Sequence, residues 1–182
     1  MKNTAPEEVI RFWFEEIAPS QWWTRDESFD RALKRRFGAT HEAATRCELY
    51  DWRKSPLGRL AEVIVLDQFS RNFYRDDPRS FASDPMALCL AQEAVRIGAD
   101  QALPQEQRAF LYMPFLHSES PLIHEWALAL FGSLENRANL DYERKRKAII
   151  DTFGRYPHRN RILGRSSTPE ELEFLSRKES SF

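Results

Sequence analysis

The stretch SPLGRLAEVIVLDQFSRNFY, residues 55–74, predicts one buried helix. Ser55 is suited to cap the helix through its hydroxyl, and Pro56 at the first helical position has no amide hydrogen to leave unpaired. Apolar residues at 3.6-residue spacing form one stripe, at Leu57, Leu60, Ala61, Ile64 and Val65. Because Val63 and Leu66 add apolar surface on the other side, we expect other helices to enclose this one.

A second apolar stretch, AFLYMPFL at 109–116, has the same character, with Pro114 favouring a bend. No alternating strand of useful length occurs. Periodicity and turn residues predict helices near 6–17, 26–48, 56–74, 85–97, 104–117, 121–137, 140–153 and 169–178. Gly38 is a candidate break in the second. The sequence therefore predicts an all-α fold of seven or eight helices in a single domain, residues 1–182, around a central buried pair, 56–74 and 104–117.

Further helix starts are indicated by an N-cap residue followed by proline. The pairs are Asp84-Pro85, Ser120-Pro121 and Thr168-Pro169. Thr168 with Glu171 also matches the capping box, and so does Thr4 with Glu7.

Two cysteines and a group of tryptophans are candidates for the core. Cys47 and Cys89 lie outside any CxxC pair, which excludes the common zinc and redox motifs and favours two reduced, buried thiols. Trp13, Trp22 and Trp23 fit either a core or a dimer surface, and we expect the core.

Composition and charge exclude several classes of protein. The 182 residues are 42% hydrophobic and 13% aromatic, which is typical of a folded domain. A net charge of −1 gives no overall attraction to nucleic acid or to anionic membranes. No leader pattern and no apolar run of about 20 residues occurs, so we expect a soluble, cytoplasmic protein without a membrane partner.

Polar residues interrupt the apolar face of the helix 56–74 near its end. Gln68, Arg71 and Asn72 continue the stripe, and Asp67 lies four residues before Arg71, as an ion pair requires. Buried polar groups need partners. The pattern therefore predicts either a polar cluster that locks helix ends together or a cleft that faces a ligand.

The apolar helix ends in His117, Ser118 and Glu119, and His124 follows. His117 falls near apolar residues one turn earlier, so we expect partial burial. The spacing HxExxxxH matches no known helical zinc motif, and we predict no metal site. A histidine that caps its own helix is one interpretation, and a general acid–base pair of His117 with a carboxylate is another.

The strongest charge feature lies between Arg144 and Arg165, where eight Lys and Arg residues and one Asp give a local charge of +7. Part of it is consistent with a solvated helix face. The loop that follows contains Arg155, His158, Arg159, Asn160 and Arg165, which can hold an anion or bind carboxylates of other helices. A pI near 6.5 argues against a nucleic-acid partner. Glycine-rich phosphate loops, GxSxG and dinucleotide motifs are absent, so no cofactor is expected.

Four motifs together resemble the bacterial DUF924 family of uncharacterised proteins. They are FWF (12–14), LDQFSRNFYR (66–75), FLYMPFLHSE (110–119) and FGRYPHRNRILGRSSTPEE (153–171). The resemblance spans nearly the whole chain and implies an all-helical fold with a TPR-like α-α superhelical arrangement. No TPR consensus repeat is visible in the sequence.

The family pattern matches at a defined set of polar and turn residues. They are Asp67, Gln68, Arg71, Asn72, His117, Ser118, Glu119, Gly154, Arg155, Pro157, His158, Arg159, Asn160, Gly164 and Arg165. The chain departs from it at Ser70, where proline is common, at His124, where glutamine is more usual, and at Arg146, which replaces a histidine.

Three functional hypotheses follow from these patterns. The first is the binding of a small anionic ligand or an acidic peptide in a polar cleft. Its ligand-binding residues would be Gln68, Arg71, Asn72, Arg155, His158, Arg159, Asn160 and Arg165. The second is a hydrolase whose candidate catalytic residues are His117, Glu119, His158 and Asp67. The third is a protein-interaction scaffold in which the polar clusters are only structural.

Overall fold

A computed structural model describes residues 4–177 of the chain. These residues form helices and no strand, which confirms the all-α prediction. The α-helices are α1 (Pro6–Arg11), α2 (Glu27–Thr45), α3 (Pro56–Ile64), α4 (Ser70–Phe73), α5 (Asp84–Arg96), α6 (Gln105–Leu116), α7 (Pro121–Gly132), α8 (Arg137–Phe153) and α9 (Pro169–Leu175). Shorter 3₁₀ turns occur at Pro19–Trp22, Tyr50–Lys54, Pro78–Ser80, Ala99–Ala102 and Pro157–Arg159.

The chain divides into two compact units. The first contains the described residues up to Arg75 together with Arg79–Pro114, and the second contains Asp76–Pro78 and the described residues from Phe115 onward. A single domain over 1–182 and a TPR-like arrangement stay predictions. None of the helices between residues 4 and 177 is long and apolar enough to cross a membrane. The cytoplasmic location stays a prediction as well.

The predicted helix 56–74 is observed as three consecutive segments, α3, the π-helical segment Val65–Phe69, and α4. Every side chain from Leu60 to Ser70 is buried, which confirms that the helix is enclosed. Ser55 caps it by accepting a hydrogen bond from the Gly58 amide at 3.0 Å. Gly58 is required there, because a Cβ would lie 2.0 Å from the Trp52 carbonyl oxygen.

The predicted N-cap residues are confirmed where the side chain makes the capping hydrogen bond. At other helix starts the observed N-cap residue is not the predicted one. Thr168 and Glu171 form the predicted capping box of α9. The N-cap of α1 is Ala5, not Thr4, with no side-chain bond. Asp84 lies inside α5 rather than at its cap, because its carboxylate contacts Arg71 at 3.0 Å.

Several helices differ from the prediction in their continuity or their bounds. Helix α2 runs unbroken through Gly38, since a glycine in a helix costs only about 1 kcal/mol. Helix α7 ends at Gly132, and α8 begins at Arg137 rather than near 140. Asn136 explains the early start of α8, because its side chain accepts a hydrogen bond from the Ala138 amide.

Both cysteines are exposed, so the prediction of buried thiols was wrong. Cys47 follows the end of α2 with a φ of 60°, outside the helical register that buries Ala43 and Ala44. Cys89 lies on the face of α5 opposite the buried Ala87 and Ala91.

The core of the first unit is built on aromatic rings. Trp13 is fully buried, with ring centroids 5.6 Å from Phe69 and 5.8 Å from Phe110. Trp22 is half-buried and donates from Nε1 to the Trp13 carbonyl at 2.8 Å, whereas Trp23 is 64% exposed. The prediction of a core tryptophan is therefore confirmed for Trp13 and wrong for Trp23, which lies on the surface.

Candidate functional site

In the first unit, Gln68 and Arg71 near the end of the buried helix form hydrogen bonds and ion pairs with carboxylates. Arg71 Nη1 lies 3.0 Å from Asp67 Oδ1, which confirms the predicted ion pair, and Asp84 is its second acidic partner. Gln68 Nε2 donates to Asp67 Oδ2 at 2.6 Å. Because Asp67 is fully buried, these contacts compensate a carboxylate charge that solvent does not reach.

Asn72 has a partner that the sequence did not indicate. Its Nδ2 donates to Asp30 Oδ1 at 2.7 Å, and the Arg75 guanidinium binds the same carboxylate. Asp30 belongs to the first turn of α2, 42 residues earlier in the chain. No local pattern could have connected the two, because their contact exists only after α2 packs against α4.

The π-helical segment Val65–Phe69 lies beside a buried histidine. Ser70 Oγ donates to the Leu66 carbonyl at 2.6 Å, and His41 Nε2 lies 2.8 Å from Ser70 Oγ. Since the serine hydrogen is used on the carbonyl, His41 must donate, and its neutral Nε2–H form fits. Burial, with a smaller effect of Lys34, lowers the pKa of His41 to about 4.

We expect His41 to make the protein acid-sensitive. In the unfolded chain its pKa is near 6.5, so between pH 6.5 and pH 4 the unfolded state binds a proton that the folded state does not. The free energy of unfolding then falls by about 1.4 kcal/mol per pH unit over this window, as pH decreases. Urea denaturation at pH 7.0 and 5.0 should show a smaller loss for His41→Gln, which keeps a donor, than for the wild type; equal losses would contradict this assignment.

In the second unit, Glu119 lies at the centre of a hydrogen-bond network. It accepts hydrogen bonds from both terminal nitrogens of Arg165, at 2.7 and 3.0 Å, and from the Tyr156 amide at 2.8 Å. Burial alone would raise the pKa of Glu119, but these bonds outweigh burial and lower it. Glu119 and Arg165, both predicted site residues, are therefore each other's partners.

Arg155 and Asn160 converge on the buried Glu171. Arg155 binds both carboxylate oxygens at 2.7 and 2.8 Å, and Asn160 Nδ2 donates to Oε2 at 3.1 Å. The Arg155 hydrogen bond is the largest cause that lowers the pKa of Glu171 to about 2. Of the two predicted roles for the basic loop, Arg155 and Asn160 perform the second, which is to bind a carboxylate of another helix.

A histidine–carboxylate pair in this unit joins two residues that the sequence did not predict to form one. His124 Nδ1 lies 2.6 Å from Glu143 Oε1, and both side chains are fully buried. His124 Nε2 lies 2.9 Å from the Ser118 carbonyl oxygen, which can only accept, so Nε2 carries a hydrogen. One further proton is then shared between Nδ1 and Oε1. Burial raises the pKa of Glu143.

Two buried arginines contact the ring of Tyr156. The guanidinium carbons of Arg146 and Arg159 lie 5.4 and 4.8 Å from its centroid, and the residues are only 7% and 6% exposed. The His158 ring lies 5.4 Å from the Tyr156 ring. We name these four residues, Arg146, Tyr156, His158 and Arg159, the Tyr156 cluster.

The two arginines of the Tyr156 cluster donate hydrogen bonds to residues outside the cluster. Arg159 Nη2 donates to the His117 carbonyl at 2.9 Å, and Arg146 Nη2 donates to the Tyr142 hydroxyl. Burial is the first cause that lowers the pKa of His158 to about 3, and Arg146 and Arg159 lower it further. The imidazole is therefore neutral at physiological pH, and it lies in a positive field.

Among residues 4–177, no group of three or more His, Cys, Asp or Glu side chains is placed to hold a metal ion.

Arg146 and Glu143 are two residues of the second unit that the sequence analysis did not select as site residues. Both lie on the inward face of α8, as the burial of Leu140, Glu143 and Arg146 at helical spacing shows. That spacing was the available signal, hidden by the run of charges around Arg146.

Comparison with known proteins supports the resemblance seen in the motifs. A family model described as a bacterial protein of unknown function, DUF924, matches residues 9–179. The structure resembles that of a protein of unknown function, ATU0120, from Agrobacterium tumefaciens. The two share 37% identity and a TM-score of 0.90, over 94% of this chain and 96% of the other. No curated protein sequence matches the chain. Since the family model covers nearly all of the chain, this protein belongs to the bacterial DUF924 family of unknown function.

Proposed function

We propose that this protein binds a small oxyanion at the Tyr156 cluster. The observation that carries the proposal is the pair of buried guanidinium groups, Arg146 and Arg159, on one aromatic ring. Buried cationic groups are costly unless negative charge compensates them. An oxyanion supplies that charge and accepts several hydrogen bonds from a planar guanidinium.

Glu119 interacts electrostatically with Arg159 and Glu143 with Arg146, and each carboxylate also has a hydrogen-bonded partner outside the cluster. Glu119 forms its bidentate pair with Arg165, and Glu143 shares a proton with His124. Burial is the largest cause of the lowered pKa of His158, and the positive charges of Arg146 and Arg159 lower it further, which is consistent with a positive field at the cluster. This field supports the first functional hypothesis and narrows it from eight residues to Arg159, His158 and the newly identified Arg146.

The edge of the cluster reaches the protein surface. Within the cluster His158 is half-buried, as are the neighbouring residues His117 and Ser118, whereas Arg146 and Arg159 are almost fully enclosed. This arrangement suits a ligand of a few atoms, such as sulfate, phosphate or a single carboxylate, better than an extended peptide. The carboxylate of an acidic side chain remains compatible with the same chemistry.

Isothermal titration with sulfate at constant ionic strength tests the proposal. Arg146→Gln removes one of the two guanidinium groups, and we expect the dissociation constant for sulfate to rise about tenfold or more. Arg144→Gln is the matched control, because Arg144 lies on the same helix, carries the same charge and is 63% exposed. We expect its affinity to equal that of the wild type.

The variants must be folded for this comparison, which circular dichroism at the titration temperature establishes. Arg159→Gln gives a second, independent removal of a guanidinium should Arg146→Gln fail to fold. Wild-type protein that shows no saturable sulfate binding would overturn the proposal. Equal weakening by the changes at 144 and 146 would overturn it too, since binding would then reflect overall charge alone.

A protein-interaction role is a second candidate, favoured by one observation. On α7, Leu122 is 68% exposed and Trp126, one turn later, is 53% exposed. Large apolar side chains adjacent on a helix surface are typical of contacts with a partner. The hydrolase hypothesis stays a prediction. The buried His124–Glu143 pair adds little to it, because both side chains are 0% exposed.

A further inference from the structure

A row of exposed, uncharged residues runs along helix α7 on the side away from its core. We name it the α7 stripe, and its members are Leu122, Trp126, Ala129 and Ser133. The two large members, Leu122 and Trp126, are 68% and 53% exposed. The opposite side of the helix is buried, at His124, Ala127 and Phe131. A surface helix normally presents charged residues on its outer face, so the outer face of α7 is unusual for one that meets only water.

The spacing of the α7 stripe is that of a helix–helix contact. Its members follow one another at intervals of four, three and four residues. This alternation keeps side chains on one narrow line, and it is the pattern through which two helices pack against each other. Ser133 continues the line, because this C-cap residue has helical backbone angles, φ −79° and ψ −12°. The spacing therefore favours a second helix as the group that covers the stripe.

The order of side chains along the α7 stripe makes it complementary to itself. When a second copy packs antiparallel, a two-fold axis passes midway between Trp126 and Ala129. Trp126 then faces Ala129 of the second copy, and Leu122 faces Ser133 of the second copy. Each large side chain meets a small one, which lets two helices approach closely without a void or a clash. A parallel pair would instead place the two Trp126 rings against each other.

Charge does not oppose such a pair. Glu125, which is the only Asp, Glu, Lys or Arg residue of α7, forms an ion pair with Lys147 of α8 at 3.0 Å. The hydroxyl of Ser133 donates to the Leu130 carbonyl at 2.6 Å, so its hydrogen stays bonded when the surface is covered. Two copies of the stripe therefore meet without like charges in contact and without an unpaired hydroxyl hydrogen.

We propose that the α7 stripe is the contact surface of a symmetric dimer, in which α7 packs antiparallel against α7 of a second copy of this chain. The proposal rests on the protein-interaction role, the second candidate function above, and names its partner. The 12 residues of α7 form a helix about 18 Å long, which is short for a protein interface. We therefore expect a reversible dimer with a dissociation constant on the order of 10 µM.

Sedimentation equilibrium over about 5–200 µM protein measures this association. We expect the wild type to shift from its monomer mass of 21.4 kDa toward twice that mass. Trp126→Glu places a charge at the centre of the stripe, and the dissociation constant of the dimer should rise about tenfold or more. Trp126→Ala is a milder second variant, and circular dichroism establishes that each variant is folded.

Leu172→Glu is the matched control. Leu172 is 58% exposed on α9 of the same unit, outside the stripe, and the change introduces the same charge at an apolar surface residue. We expect this variant to dimerise as the wild type does.

Disulfide cross-linking tests the antiparallel arrangement. Both native cysteines are exposed, so Cys47→Ser with Cys89→Ser provides a background without competing thiols. In that background, a mixture of the Leu122→Cys and Ser133→Cys proteins should give a cross-linked dimer when oxidised glutathione is added. The Leu122→Cys protein alone should give none.

The possible contrary results have different meanings. Wild-type protein that stays monomeric at about 200 µM would overturn the dimer. A dimer that persists in Trp126→Glu, or that Leu172→Glu weakens equally, would overturn the role of the stripe in any interaction. Cross-linking of Leu122→Cys with itself, but not with Ser133→Cys, would overturn the antiparallel arrangement. Sulfate binding by Trp126→Glu should equal that of the wild type, because the oxyanion proposal rests on other residues.

Discussion

Arg53→Met is expected to lower the free energy of unfolding by about 3–5 kcal/mol, as breaking a buried ion pair does. Arg53 binds both carboxylate oxygens of Glu62 at 2.7 Å, and the Glu62 side chain is fully buried. Methionine preserves much of the aliphatic packing but leaves the carboxylate without its cation. The loss therefore reports an uncompensated buried charge, measured by urea denaturation at pH 7.

A double variant separates this charge effect from packing. Arg53→Met combined with Glu62→Leu removes both charges, so we expect it to recover most of the lost stability. Arg31→Met is the surface control, because Arg31 pairs with Glu27 where both side chains are mostly exposed. That change should cost about 0.5 kcal/mol or less. A double variant no more stable than Arg53→Met would contradict the interpretation.

Trp13→Ala is expected to cost a similar amount, about 3–5 kcal/mol, through loss of burial and creation of a cavity. The Trp13 ring is fully buried between Phe69 and Phe110, which come from distant parts of the chain. Its removal takes contacts from the π-helical segment and from α6 at once. Thermal and urea denaturation should both show the effect.

Trp13→Phe provides the matched comparison. The Trp13 Nε1–H has no hydrogen-bond partner in the part of the chain that the structure describes, so phenylalanine gives up no polar contact. We expect its cost to be well below that of alanine. Trp23→Ala, at a ring that is 64% exposed, should change stability by about 1 kcal/mol or less. A Trp23→Ala loss as large as that of Trp13→Ala would contradict the assigned core.

Much of the helical structure follows from local sequence because its causes are local. Ser55 and Thr168 cap helices through hydrogen bonds to amides three residues away, and both were predictable. Asp84 has the same sequence signature but makes another contact, with Arg71, thirteen residues earlier. A cap residue can be recognised in the sequence, whereas the competing partner cannot.

The candidate site illustrates the same division. Sequence patterns identified Arg155, Arg159, Asn160, His158 and Arg165 as a loop of unusual chemistry, and identified Glu119. They could not show that Arg165 would bind Glu119 across 46 residues, or that Arg155 would bind Glu171. Arg146 lies in the basic run 144–147, part of the region for which a solvated helix face was one interpretation, and only the packing of α8 selects Arg146 as its buried residue.

The amino-acid sequence was sufficient to predict the helix content, the burial of residues 56–74 and the family. Periodicity, capping residues and motifs are each defined by residues close together in the chain. Unlike the local pair of Asp67 with Arg71, the pairing of buried charges that lie farther apart in the sequence was decided by tertiary packing. Asp30 with Asn72, Glu62 with Arg53 and His124 with Glu143 are such pairs. A buried charge is stable only with a partner, and the partner is whatever side chain the fold brings within about 3 Å.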